Sequence, residues 1–191
     1  MKRILFITSL IVMLFALSSC IVAGGAAVGA GGTAIYDQRS LKVIATDNDI
    51  DENLYLKLAK SKEITEGSHL NFTTYRGKLL LAGQTKNEKI RGKVIAIAKK
   101  ISGVQRIYNH IVIDKPSDIV VRSQDTWITT KVKTKFLGAS GLKSGEFKVL
   151  TEGGTVYLMG YATHAQTDLA VTVVKSVVGV QKVVNLVDYE K

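Results

Sequence analysis

The strongest constraint on this chain is that its second half repeats its first. Gly77-Lys78-Leu79-Leu80-Leu81-Ala82-Gly83 aligns with Gly154-Thr155-Val156-Tyr157-Leu158-Met159-Gly160, and Gly103-Val104-Gln105-Arg106-Ile107-Tyr108-Asn109 with Gly179-Val180-Gln181-Lys182-Val183-Val184-Asn185. Upstream, Ile50, Leu54 and Leu58 match Ile128, Val132 and Phe136, so the offset drifts only from 78 through 77 to 76 residues. Self-similarity of this kind makes each copy one folding unit. We place a first domain at 47–113 and a second at 125–191, joined by a linker at 114–124 that holds the only proline, Pro116.

Within a copy, the hydrophobic spacing predicts helix, strand, strand, helix, strand. Ile50, Leu54 and Leu58 recur every four residues, the signature of an amphipathic helix. Residues 69–75 and 78–83 read as an alternating strand pair around Tyr75-Arg76-Gly77, a hairpin signal. A second helix over 87–101 presents Ile90, Val94, Ile97, Ala98 and Ile101 and stops at Gly103, and 107–113 closes as a strand. The second copy predicts strands at 146–151 and 155–161, a helix at 164–178 and a strand at 182–188. The expected class is α+β: two tandem αββαβ domains, each with two helices packed on a three-stranded mixed sheet.

Ahead of the repeat lies a different kind of sequence. Lys2 and Arg3 precede an almost wholly apolar run over 4–17, the anatomy of a secretory signal peptide rather than a membrane span. It ends in Leu17-Ser18-Ser19-Cys20, with the chain's single cysteine at the last position. This tetrapeptide resembles a bacterial lipobox, which implies a signal peptide at 1–19, cleavage before Cys20 and lipidation of that residue. Ile21, in place of Asp, favours the outer membrane by the enterobacterial sorting rule. The competing reading is an ordinary signal peptide with an incidental thiol. Residues 20–46 read as a lipidated Cys and a Gly/Ala-rich tether. A phosphate-binding glycine loop at Gly29, Gly31 and Gly32 is disfavoured, because no strand precedes it and no Lys-Ser/Thr follows.

The repeat with its Gly-x-[Val/Leu]-x-Leu-x-Gly hairpin and its Gly-Val-x-x-[Val/Ile]-x-Asn ending resembles the BON domain. Two such domains behind a lipobox and a small-residue tether resemble the dual BON-domain outer-membrane lipoproteins of Gram-negative bacteria, most specifically in the segment 125–132. The resemblance implies a non-enzymatic envelope-integrity protein, anchored by lipid in the outer membrane and facing the periplasm. It also implies binding of anionic phospholipid through the second domain, with the β-barrel assembly machinery as a candidate partner and no cofactor.

The residues carry part of this independently. At about 100° per residue, Ile128, Val132 and Phe136 form the core stripe of the helix near 126–136. Trp127, Thr130, Lys131 and Thr134 fall on another side, with Lys135 between the two. A tryptophan beside lysines suits a membrane interface, where the indole sits at headgroup level and the ammonium groups meet phosphates. The competing reading packs Trp127 against the other domain or a sheet edge. In the first copy the positions of Trp127 and Lys131 hold Asp49 and Asn53, in the acidic run 47–52, so that helix is not expected to meet an anionic surface.

Net charge points the other way. The formal charge is +10; residues 41–113 carry 13 basic and 7 acidic side chains, residues 114–191 carry 10 and 8. Lys86, Lys89, Arg91, Lys93, Lys99 and Lys100 cluster around the first domain's second helix. The alternative function is therefore a protein-interaction scaffold contacting outer-membrane assembly machinery through that domain. Long-range charge is screened beyond about 8 Å in physiological salt, so the aromatic-plus-basic geometry of the second domain has priority. Other classes find little support. His69, His110 and His164 stand apart, without triad or metal spacing. Asp47, Asp49 and Asp51 lack the glycine and the twelfth-position glutamate of a calcium loop. Nucleic acid would fit the charge, but no stacking platform accompanies it.

Overall fold

The structure, a computed structural model, describes Asp37 and residues 39–190. The signal-like run, Cys20 and the Gly/Ala-rich stretch lie outside the described residues. Asp37 onward forms one compact unit by itself.

Its first helix, α1 (Leu41–Ala59), starts where the Ser40 hydroxyl accepts from the Val43 N–H at 3.4 Å, satisfying one of the amides every helix start leaves open. It is followed by α2 (Lys62–Gly67), β1 (Ser68–Tyr75), β2 (Lys78–Thr85), α3 (Glu88–Ala98) and β3 (Arg106–Ile113). The second domain repeats the order with α4 (Ile119–Gly138), a 3-10 turn (Ser144–Glu146), β4 (Phe147–Glu152), β5 (Thr155–Ala162), α5 (His164–Lys175) and β6 (Lys182–Tyr189). Two boundaries differ from the sequence reading. α1 begins inside the stretch read as tether, and α4 begins at Ile119, inside the stretch read as linker, because Ser40 and Asp118 are the true N-caps. Core contacts begin only at Asp47 and Asp125, so the apolar stripe by itself does not reveal the earlier turns. The short α2 escaped prediction for a related reason: six residues with one buried aliphatic, Ile64, carry no periodicity.

Each sheet is mixed. β1 pairs antiparallel with β2, and β2 parallel with β3, as β4 does with β5 and β5 with β6. Both hairpins turn on two residues with positive φ, Arg76-Gly77 (51° and 74°) and Gly153-Gly154 (55° and 70°), the backbone twist a two-residue hairpin needs. Helices cover one face of each sheet: Ile50, Leu54, Leu79, Leu81 and Val94 form the first core, and Ile128, Val132, Val156, Leu158 and Val174 the second.

The opposite faces of the two sheets pack on each other. Tyr75, Leu80 and Ala82 meet Leu150, Tyr157 and Met159 in a third buried cluster, giving four layers, helix–sheet–sheet–helix. β2 is therefore covered from both sides. Leu79, Leu80, Leu81 and Ala82 are all within 1% of complete burial, so it is not the half-exposed alternating strand that the sequence pattern suggested. Across the interface the Tyr75 hydroxyl donates to the Glu146 carbonyl at 3.1 Å, Lys148 Nζ to the Thr74 carbonyl at 2.8 Å, and Asn71 Nδ2 to the Thr151 carbonyl at 3.4 Å. These pairs run in opposite senses along β1 and β4. The two hairpin turns consequently lie at opposite ends of the sandwich.

Candidate site on the first helix of the second domain

α4 is held to its sheet by more than its apolar stripe. Asp125, 6% exposed, accepts from the amides of Gly153 and Gly154 at 2.8 and 2.9 Å. Asp47 does the same for Arg76 and Gly77 at 2.7 and 2.8 Å. These buried carboxylates, which the sequence shows only among other polar residues, fix each first helix over its hairpin turn. Gly179 completes the seat: at φ 103° it lies so close to α4 that an added Cβ would stand 3.1 Å from Ile128 Cγ1. The α5–β6 turn thus presses directly on α4.

Trp127 projects from this junction, 62% exposed. The groove beside it is lined by residues of the second domain, among them Gly153 and Gly154 of the β4–β5 hairpin, and by none of the first. Lys131 Nζ lies 5.8 Å from the indole centroid and donates to the Val178 carbonyl at 2.5 Å. Lys135 Nζ donates to the Ser176 carbonyl at 3.2 Å and bonds its hydroxyl at 3.0 Å. Both ammonium groups therefore stand at the carbonyl-rich C-terminus of α5, where cations are favoured by the helix dipole. The remaining predicted residues divide. Thr134 is exposed, whereas Thr130 donates to the Thr126 carbonyl at 2.9 Å and faces a different cleft. That cleft, about 630 Å³, lies between the domains and is bounded by Arg122, Thr126 and Lys133 of α4 and by β1 and β4. Thr130 is thereby separated from the Trp127 face.

A residue that sequence reasoning missed joins Trp127. Val178, in the α5–β6 turn, is 82% exposed and lines with Trp127, Val121 and Lys131 a groove of about 500 Å³. Val120, two turns before Trp127 on the same helical face, is 60% exposed. The signal was an aliphatic side chain in a turn between a helix and a strand, where a polar residue is usual.

The first domain lacks this surface. Ser102 stands where the second domain has Val178, Lys42 where it has Val120, and Asp49 where it has Trp127. Its basic cluster is partly neutralised: Glu63 of α2 pairs with Lys93 and, at 3.2 Å, with Lys89, while Arg91 pairs with Glu88 at 2.6 Å. The two lysines hold the exposed Glu63 carboxyl below its ordinary range through direct hydrogen bonds. The histidines serve packing: His164 stacks on Tyr189 at 3.7 Å, His110 tilts against Tyr157 at 4.9 Å, and His69 lies 3.5 Å from Glu152. Among the described residues no group of three His, Cys, Asp or Glu is arranged to hold a metal ion, and no helix is long and apolar enough to cross a membrane.

Comparison with known proteins agrees with the duplication. The BON domain family model matches residues 46–115 and again 124–191. The 21 kDa hemolysin of Actinobacillus pleuropneumoniae is 35% identical over 157 residues, 82% of this chain and 81% of that protein. The outer membrane lipoprotein DolP of Haemophilus influenzae is 30% identical over 175 residues, 91% of this chain and 90% of that one. The osmotically-inducible protein Y of Escherichia coli K12 is 27% identical over 123 residues, 63% and 61% of the respective chains.

Proposed function

The chain belongs to the BON-domain family, with two copies of the domain in tandem, and from this premise we propose that it is a non-enzymatic outer-membrane lipoprotein whose second domain docks on anionic phospholipid. Likeness along nine-tenths of the chain to an outer membrane lipoprotein supports an envelope-associated role. The lipobox supports acylation at Cys20, with the folded domains on the periplasmic side. Each acyl methylene would add about 0.8 kcal/mol of membrane affinity, so the anchor holds the protein at the bilayer and the α4 face sets which part of it touches lipid.

The observation that carries the lipid reading is Trp127, largely exposed with the Lys131 ammonium 5.8 Å from its ring, and Lys135 one turn beyond Lys131 on the same helix. Leaving a large aromatic side chain in water forgoes its burial free energy. An interface of headgroups lets the indole bury its body while each nearby ammonium contributes about 1 kcal/mol against anionic lipid. The scaffold alternative, with the basic first domain contacting assembly machinery, rests on Lys86, Lys99 and Lys100 after Glu63 and Glu88 neutralise part of the cluster.

Fragment 37–191 contains the chain's one tryptophan, so its emission reports insertion directly. It is expected to co-sediment with phosphatidylglycerol vesicles, with a blue shift, and not with phosphatidylcholine vesicles. Trp127→Glu is expected to abolish sedimentation. Equal sedimentation by the variant would overturn the lipid assignment; a cross-linked protein partner retained by that variant would favour the scaffold. Lipidation is tested separately: Cys20→Ala should shift the protein from the membrane to the soluble fraction.

A further inference from the structure

We propose that the α5–β6 turn is a second inserting element, so that Val178 enters the leaflet beside Trp127 and the membrane contact is made by two segments about fifty residues apart. This deepens the lipid reading and rests on it. Val178 is 82% exposed, more than any other large apolar side chain of the described residues except Leu41 at the start of α1. Its position is not slack. The turn is pressed on α4 through Gly179, and the Val178 carbonyl accepts from Lys131 Nζ, whose ammonium also lies over the Trp127 ring. Lys131 therefore links the two apolar side chains. Any motion bringing Trp127 to the bilayer carries Val178 with it.

The occupant follows from charge. Lys131 stands at the groove, and the carboxylate in its wall, Asp125, is buried and turned onto the amides of Gly153 and Gly154. The surface thus offers aliphatic and aromatic side chains with cationic donors and no outward acid, the composition that an anionic leaflet accepts. The first domain is the internal comparison: the same turn, with its glycine at Gly103, carries exposed Ser102.

Fragment 37–191 is free of cysteine, so Val178→Cys and Ser102→Cys each accept one environment-sensitive fluorophore. With phosphatidylglycerol vesicles the label at 178 is expected to shift to the blue together with Trp127, and the label at 102 to stay aqueous. Val178→Asp is expected to weaken vesicle binding about tenfold, the loss of one valine side chain from the buried contact; Val178→Ser should show the same direction with an unchanged melting temperature. If Trp127 shifts while the label at 178 stays in water and Val178→Asp binds normally, the second element is refuted and the lipid reading stands. If neither probe shifts, both fall and the surface belongs to a protein partner.

Discussion

α1 and α4 occupy equivalent places, are seated by equivalent aspartates, and bury equivalent stripes, yet only α4 sets an exposed tryptophan and a lysine beside its helix–strand turn; the exposed apolar side chains of α1, Leu41, Tyr55 and Leu56, stand at other positions. Asp49, Asn53 and Lys42 on α1 are replaced by Trp127, Lys131 and Val120 on α4. The difference shows that the duplicated scaffold specifies where a helix lies, while the outward residues, which do not enter the core, are open to divergence. More positive charge lies on the first domain, but its acids engage part of it. The second domain carries less charge and joins it to exposed apolar surface.

The equivalence of the two seats is tested most severely at the buried aspartates. Asp47 bonds the hairpin amides and also the Arg39 guanidinium at 2.6 Å, whereas Asp125 has the amides and no ion pair among the described residues. Asp47→Ala should cost about 3 kcal/mol, the low end for breaking a buried ion pair, because Arg39 keeps Asp37 at 2.7 Å, and Asp125→Ala about 1–3 kcal/mol, as leaving buried amides without an acceptor does. Urea unfolding of 37–191 measures both; equal losses would mean that Arg39 adds nothing to the first seat.

Next in size is a transplant. In a Trp127→Glu background, Asp49→Trp with Asn53→Lys and Ser102→Val should restore at least about tenfold of the lost affinity for phosphatidylglycerol vesicles. Absence of any recovery would mean that the second domain binds through something beyond its outer helix face and turn. A smaller effect is expected from salt. Raising ionic strength from about 0.15 to 1 M shortens the screening length from about 8 to 3 Å. Binding should weaken up to about tenfold, since Lys131 and Lys135 each contribute about 1 kcal/mol against anionic lipid; an unchanged affinity would mean that charge does not set the preference for phosphatidylglycerol.

The smallest effect concerns pH. His110 in β3 holds the place that Leu186 holds in β6, both at the sheet–sheet interface. Burial, and then Lys182, keep the imidazole below its ordinary value of 6.5. The neutral form is the folded one, so its contribution is present above pH 6.5 and is lost as pH falls through that value toward the lowered one. Acidification from pH 7.5 to 5.5 should lower the melting temperature slightly, and His110→Leu should flatten that dependence; an unchanged slope would remove His110 from the account. Burial also raises Asp51 and lowers Lys148, which face each other at 3.8 Å. Both are present in the parent and the variant, so the difference between the two slopes isolates His110.

Much of the fold was legible in advance. The repeat implied two domains, the matches to Ile128, Val132 and Phe136 marked the helix stripe, and Gly77 and Gly154 marked the hairpins. The candidate lipid-facing set was legible in part. Trp127 and Lys131 follow from a helical wheel, because neighbours on one helix are set by local geometry. Thr130 was misplaced because the wheel knows nothing of the cleft beside β1. Val178 was missed because it reaches Trp127 only through the close approach of Gly179 to α4.

Residue identity and short-range periodicity suffice for the duplication, the element order and the asymmetry between the two outer helix faces. The packing of the whole chain was needed for the rest: that the sheets lie back to back, that Lys131 and Lys135 bond carbonyls just past the end of α5, and that Val178 stands beside Trp127. Those outcomes depend on contacts between residues far apart in the chain, and a pattern of local hydrophobicity says which surfaces must be buried without saying against what.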